Sequence, residues 1–119
     1  MSKFLSWPFA TVLALATSCG GAPKPDARLS SDEGAIRGAE EAGANQVPEA
    51  TLELKLATEQ RQQAVDLMKD GDNHRAALLL ARSEADAELA LALAREATAK
   101  AEAAKAREAV EALKRKADR

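Results

Sequence analysis

Beyond Phe9 this chain of 119 residues has no aromatic side chain: Phe4, Trp7 and Phe9 are the only ones, and tyrosine is missing altogether. Bases and sugar rings are commonly gripped by stacking on aromatic faces, so a single-stranded nucleic-acid or glycan site of that kind is excluded. There is one cysteine, Cys19, so no intramolecular disulfide can form. There is one histidine, His74, and it follows Asp72 and Asn73, residue types that collect at helix starts as caps. A lone imidazole without a thiol partner or further ligands supplies neither a nucleophile pair nor a metal site, and His74 is expected to be an exposed first-turn residue. The glycines form no phosphate-binding loop, since Gly20-Gly21 stands apart from any strand-to-helix turn and Gly34 and Gly38 lie singly in a helical pattern. Adjacent carboxylates such as Asp32-Glu33 and Glu40-Glu41 diverge by about 100° on a helix and are expected on solvated faces. The formal net charge of −2 gives no footprint for a DNA backbone. These absences lead to an expectation of no enzymatic activity, no cofactor, no metal, no nucleic acid and no small-molecule substrate.

A long apolar run is also missing. The stretch from Phe4 to Ala16 is broken by Pro8 and falls short of the ~20 residues that a membrane-crossing helix needs. With Lys3 before it and small residues after it, the stretch has the form of an export signal. It ends in Leu15-Ala16-Thr17-Ser18-Cys19, which makes residues 1–18 a lipoprotein-type signal and Cys19 the lipid-attachment site. Ala16 holds the place where such signals most often have leucine. Cleavage after the A-x-A string Ala14-Leu15-Ala16 is the competing reading and would release a soluble chain. Gly20 after the cysteine, in place of Asp, points to the outer membrane under Gram-negative sorting.

Residues 19–29, with Pro23, Pro25 and two glycines, have linker composition. From Ser30 the chain is dominated by alanine and other strong helix formers. The spacing predicts three helices. The first opens at the capping box Ser30-Ser31-Asp32-Glu33, carries Ala35, Ile36, Ala39 and Ala42 as its stripe, and ends near Gly43. The second starts at Pro48 and runs to Lys69 or Asp70; Leu52, Leu54 and Leu56 alternate as in a strand, but Ala50, Leu54, Ala57, Ala64 and Met68 keep helical spacing over far more than a strand's length. After the turn Asp70-Gly71-Asp72, a third helix of about 65 Å is expected from Asn73 to Ala117.

That long helix carries two stripes. One keeps alternating four-three spacing through Leu78, Ala85, Leu89, Ala92, Ala99, Ala103, Ala106, Val110 and Leu113 to Ala117, interrupted by Arg82 and Glu96. The other, Leu80, Ala87, Leu91, Ala94 and Ala101, fades in the second half. The expected fold is all-α: a small three-helix antiparallel bundle or helical hairpin over residues 30–97, followed by a charged, coiled-coil-like extension over 98–119. Its tip, Lys114-Arg115-Lys116, answers the helix dipole.

Gly43-Ala44, Val47-Pro48-Glu49, Asp70-Gly71-Asp72 and the alanines at Ala57, Ala64, Ala76, Ala81, Ala85, Ala87 and Ala90 together resemble the bacterial lipoprotein family with domain of unknown function 4398. The Pro-led helix start, the Gly-Asp turn and the recurring alanines carry the resemblance, with Val47 where the family usually has alanine. It implies a small, all-helical envelope domain, lipid-anchored in many relatives, without an agreed activity or catalytic residues. The functional expectation is a lipid-anchored envelope protein with a structural or protein-interaction role, held to the membrane through its lipid and meeting an envelope protein or another copy of itself through the seam. The rival expectation is a soluble periplasmic adaptor, tetratricopeptide-like, that binds a peptide or protein between the second and third helices.

Overall fold

The computed structural model describes residues 21–119, so the signal residues, including Leu15, Ala16, Thr17, Ser18 and Cys19, lie outside the described residues. The described chain is helical, with α1 (Asp26–Glu41), a short 3-10 turn (Ala44–Gln46), α2 (Pro48–Lys69) and α3 (Asn73–Ala117).

α1 starts four residues before the expected Ser30. Pro25 presets the backbone and its carbonyl accepts from Leu29 N–H at 3.0 Å, while Asp26 in the first turn favours the positive end of the helix dipole. The extra turn places Leu29 against the cluster of Ala64, Ala76 and Leu80, which Leu67, Met68 and Leu79 also cover. Ser30 is therefore not a cap. At the other end, Gly43 takes a left-handed conformation (φ +86°) that only glycine adopts cheaply, which ends α1 and starts the short turn.

Pro48 opens α2, and Leu52 to Leu56 are helical, not extended. Between α2 and α3 the chain reverses at Gly71 (φ +81°), and Asp72 caps α3 by accepting from the Arg75 backbone N–H at 3.3 Å. Contacts set the helix directions. Val47 and Glu49 lie beside Leu93 and Lys100, Ser83 bonds the Ala57 carbonyl, and Ala64 packs near Ala76 and Leu80, so numbers rising along α2 meet numbers falling back along α3. α1 runs alongside α3 in its own direction, as Asn73 to Ala22 and Ser31 to Glu84 show.

Two apolar clusters hold the three helices. One collects Ile36, Ala39, Ala44, Ala50, Leu54, Ala57, Ala87, Ala90 and Ala94. The other has Ala64, Ala76 and Leu80 at its centre. Alanine on both sides of a contact lets backbones approach closely, at the expense of burying little area per residue. Packing stops near Ala97, where Val47 and Glu49 at the start of α2 line the same recess as Leu93, Glu96 and Lys100. Beyond it the last turns of α3 are almost wholly exposed, which makes the molecule elongated.

Candidate functional site

Two features of α3 stand out: one face left bare and one polar layer buried. The residues of α3 buried against α1 and α2 are Ala76, Leu80, Ser83, Ala87, Ala90 and Ala94. This is the second of the two stripes, filled in by Ser83 and Ala90, with Leu91 half-buried and Ala101 exposed. The longer four-three seam lies on the opposite side of the helix. Leu78 is 61% exposed, Leu89 46%, Val110 48% and Leu113 66%, and Ala85, Ala92, Ala99, Ala103 and Ala106 are exposed between them. Periodicity alone would let both stripes of the first half pack on neighbouring helices; one does, and the seam has no partner among the described residues. The reason is steric. α2 presents Ala50, Ala57 and Ala64, and small residues facing small residues bring the backbones together, whereas Leu78 and Leu89 would hold them apart.

The seam is flanked by charges of both signs. Glu88, Arg95, Glu102, Lys100, Arg107 and Lys114 border it, and within the helix Glu96 pairs with Lys100 and Lys114 with Glu111. The hydrogen-bonding Lys100 ammonium pulls the Glu96 carboxyl below its ordinary range, and Glu96 in turn raises Lys100. These exposed pairs each contribute only tenths of a kcal/mol. An exposed apolar stripe on a long helix, broken only by Arg82 and Glu96, is the kind of surface that marks an interaction site.

Between the two apolar clusters lies a polar layer with one contributor from each helix: Asp32 from α1, Arg61 from α2 and Ser83 from α3. Asp32 and Ser83 are fully buried. The Ser83 hydroxyl donates to the Ala57 carbonyl at 2.7 Å, and the Asp32 carboxyl oxygens and Arg61 Nε have no protein hydrogen-bond partner. Burial pushes the Asp32 carboxyl above its ordinary value; Ser83 and the Arg61 guanidinium oppose the rise, and Glu84 and Glu33 add to it. Arg61 also contacts Glu33 at 3.5 Å. The expectation that Asp32 faces solvent is therefore corrected. Its spacing explains the burial: Asp32, Ile36 and Ala39 fall at i, i+4 and i+7, on one face of α1. Reading Ser30 as a cap hid this, because it put Asp32 in a first turn instead of two turns into the helix. Ser83 sits in the same way within the stripe of Leu80, Ala87, Ala90 and Ala94.

His74 is exposed in the first turn of α3, and among the described residues no group of His, Cys, Asp and Glu is arranged to hold a metal ion. No described helix is long and apolar enough to cross a membrane. A shallow groove of about 500 Å³ runs along the open edge between α2 and α3, lined by Gln63, Leu67, Arg75, Leu78, Leu79 and Arg82.

No curated protein and no solved structure matches this chain. Residues 27–113 match the family described as Domain of unknown function (DUF4398), a span that takes in all three helices from the second residue of α1 to the last turns of α3. The chain belongs to that family.

Proposed function

We propose that this is a non-enzymatic, lipid-anchored protein of the bacterial envelope, in which a small three-helix antiparallel bundle carries a coiled-coil-like helix that acts as an interaction element. The observation that carries the reading is the bare seam of α3, which runs from Leu78 to Leu113, broken only by Arg82 and Glu96, and is exposed over its length. A helix that spent its apolar positions only on its own fold would bury them; this one keeps a second, longer stripe for something outside the chain. The buried polar layer supports a structural rather than a chemical role for its members, since the Ser83 proton is engaged by a backbone carbonyl and Asp32 is closed off from solvent.

Anchoring rests on Cys19 and the segment before it. Cys19→Ser should move the protein from the membrane to the soluble fraction of the envelope, and the intact mass of the wild-type protein should equal a chain that begins at Cys19 plus its lipid. A mass beginning at Thr17 without lipid, or a Cys19→Ser variant that stays with the membrane, would overturn the anchor.

The groove between α2 and α3 favours a second reading, a soluble tetratricopeptide-like adaptor that takes a peptide. Arg75 and Arg82 on its rim and Leu67, Leu78 and Leu79 along it suit a short acidic segment with apolar side chains. In that case Arg82→Glu should abolish capture of a peptide partner by crosslinking in the envelope while leaving helicity unchanged. Undiminished capture would remove the groove from consideration.

A further inference from the structure

We infer that the seam of α3 pairs with the seam of a second copy of this chain, the two helices running antiparallel with Leu78 of one facing Ala117 of the other. This deepens the interaction role proposed above and rests on it. The argument is the arrangement of charge along the exposed face.

Taken as a heptad, the seam places Arg82, Leu89, Glu96, Ala103, Val110 and Ala117 at one core position and Leu78, Ala85, Ala92, Ala99, Ala106 and Leu113 at the other. In a parallel, in-register pair the first set meets itself. Arg82 then stacks on Arg82 and Glu96 on Glu96 inside the seam, and the flanking Arg95 meets Lys100 of the second copy. Each is a contact of like charges, repeated or centred on the axis, and against them the same alignment sets one flanking pair of opposite sign, Glu102 with Arg107.

An antiparallel pair sets one core position against the other. In the register that covers the whole seam end to end, Ala85 faces Val110, Leu89 faces Ala106 and Ala92 faces Ala103 of the second copy. Arg82 faces Leu113 near the rim, where its stem can lie over the leucine and its head can reach water. Glu96 faces Ala99 and keeps the Lys100 of its own helix as partner. Along the flanks Arg95 meets Glu102 and Asp86 meets Arg107, and by the twofold symmetry each pair occurs twice. The remaining flanking positions set a charge or a leucine against an uncharged or apolar residue, so no flanking pair in this register is of like sign. Arg95, Glu102 and Arg107 are exposed, and Asp86 is half-buried with one oxygen accepting from Gln60 at 2.6 Å. α1 and α2 cover the opposite side of α3 and leave the seam open to a second helix. In such a dimer the two segments preceding α1, each tied to Asn73 through Ala22, leave about 70 Å apart, so a lipid-anchored dimer would lie along its membrane.

The test uses the full chain carrying Cys19→Ser, so that no native thiol interferes. It should sediment as a dimer in the micromolar range. Arg95→Glu should weaken the dimer by about tenfold, since two attractions become two repulsions, and Arg95→Glu/Glu102→Arg should restore it, with helicity the same in all three. A parallel dimer would respond in the opposite sense, because Glu at position 95 would relieve the contact with Lys100. Ala85→Cys/Val110→Cys should oxidise to a covalent dimer, and Ala85→Cys alone should not. A monomer throughout, a tighter dimer with Arg95→Glu, or crosslinking by Ala85→Cys alone would each overturn the proposal. A monomeric chain that still crosslinks another envelope protein through Ala85→Cys would overturn the self-pairing and leave the interaction role standing.

Discussion

Leu80→Ala should lower the stability of the protein by about 3 kcal/mol, the cost of removing a large buried side chain and leaving a cavity. Leu80 is the largest wholly buried side chain among the described residues. It anchors the smaller of the two apolar clusters, where its remaining buried companions are Ala64 and Ala76, ringed by Leu29, Leu67, Met68 and Leu79. Alanines cannot shift to fill the space that a leucine leaves. A core built mainly of alanine starts from modest stability, so the variant should melt far below the wild type, or be largely unfolded at 37 °C, in thermal denaturation followed by circular dichroism. Leu89→Ala provides the contrast: it removes the same atoms from a residue 46% exposed. In a monomeric sample it should change stability by about 0.5 kcal/mol or less. Similar losses from the two variants would mean that the fold packs the seam face as well as the Leu80 face.

The second large effect concerns pH. Asp32 is buried, and its carboxyl is held above the ordinary value of 3.8 chiefly by that burial. The folded protein then binds this proton more tightly than the unfolded chain does. Asp32 therefore favours the fold most at pH below 3.8, and its contribution is lost as pH rises from there through the raised folded value, staying flat above it. Asp66 and Glu96 act in the opposite sense, since Lys69 and Lys100 lower their pKa values and their stabilisation is lost as pH falls. Both are exposed at the surface, and the Asp32 contribution is isolated by subtracting the pH profile of Asp32→Asn from that of the wild type. The difference should be small in acid and should grow through that window until, at neutral pH, Asp32→Asn is more stable by about 1 kcal/mol, in line with the cost of burying an unpartnered polar or charged group. An Asp32→Asn protein less stable than wild type at pH 7 would show that the nearby Arg61 guanidinium more than offsets the desolvation, and the burial account of this layer would fail.

Why carry such a layer at all? It sits between two clusters of alanines, and alanines pack almost equally well one turn out of place. A single polar contact from Ser83 to the Ala57 carbonyl, with Asp32 beside it, penalises slippage in a way that interchangeable methyl groups cannot. In that respect it resembles a polar residue placed in a coiled-coil seam to set its register at the expense of stability.

Much of this fold is legible in the chain itself. The start of α2 at Pro48, the reversal at Gly71, the Asp72 cap and the unbroken run of α3 to Ala117 follow from local chemistry: a fixed φ, a permitted left-handed residue, a side-chain acceptor, and the absence of proline or glycine thereafter. The stripe of α2 was legible too, because Ala50, Leu54, Ala57 and Ala64 keep helical spacing over far more than a strand's length, despite Leu52 and Leu56 between them. The start of α1 was not. The box at Ser30 satisfies a local rule, and the choice of Asp26 is made by Leu29, whose packing against Ala64, Ala76 and Leu80 repays one more turn.

Local chemistry thus determined which residues are helical and where the chain turns, because caps, turns and propensities act over a few residues. The face of α3 that goes inside was decided only by the tertiary structure. In a helix with alanine on nearly every side, periodicity offers more than one apolar stripe, and the winner is whichever lets three backbones approach most closely. That contest, settled by the alanines of α2 and by Ile36 and Ala39 of α1, buried Asp32 and Ser83 and left Leu78, Leu89, Val110 and Leu113 in solvent.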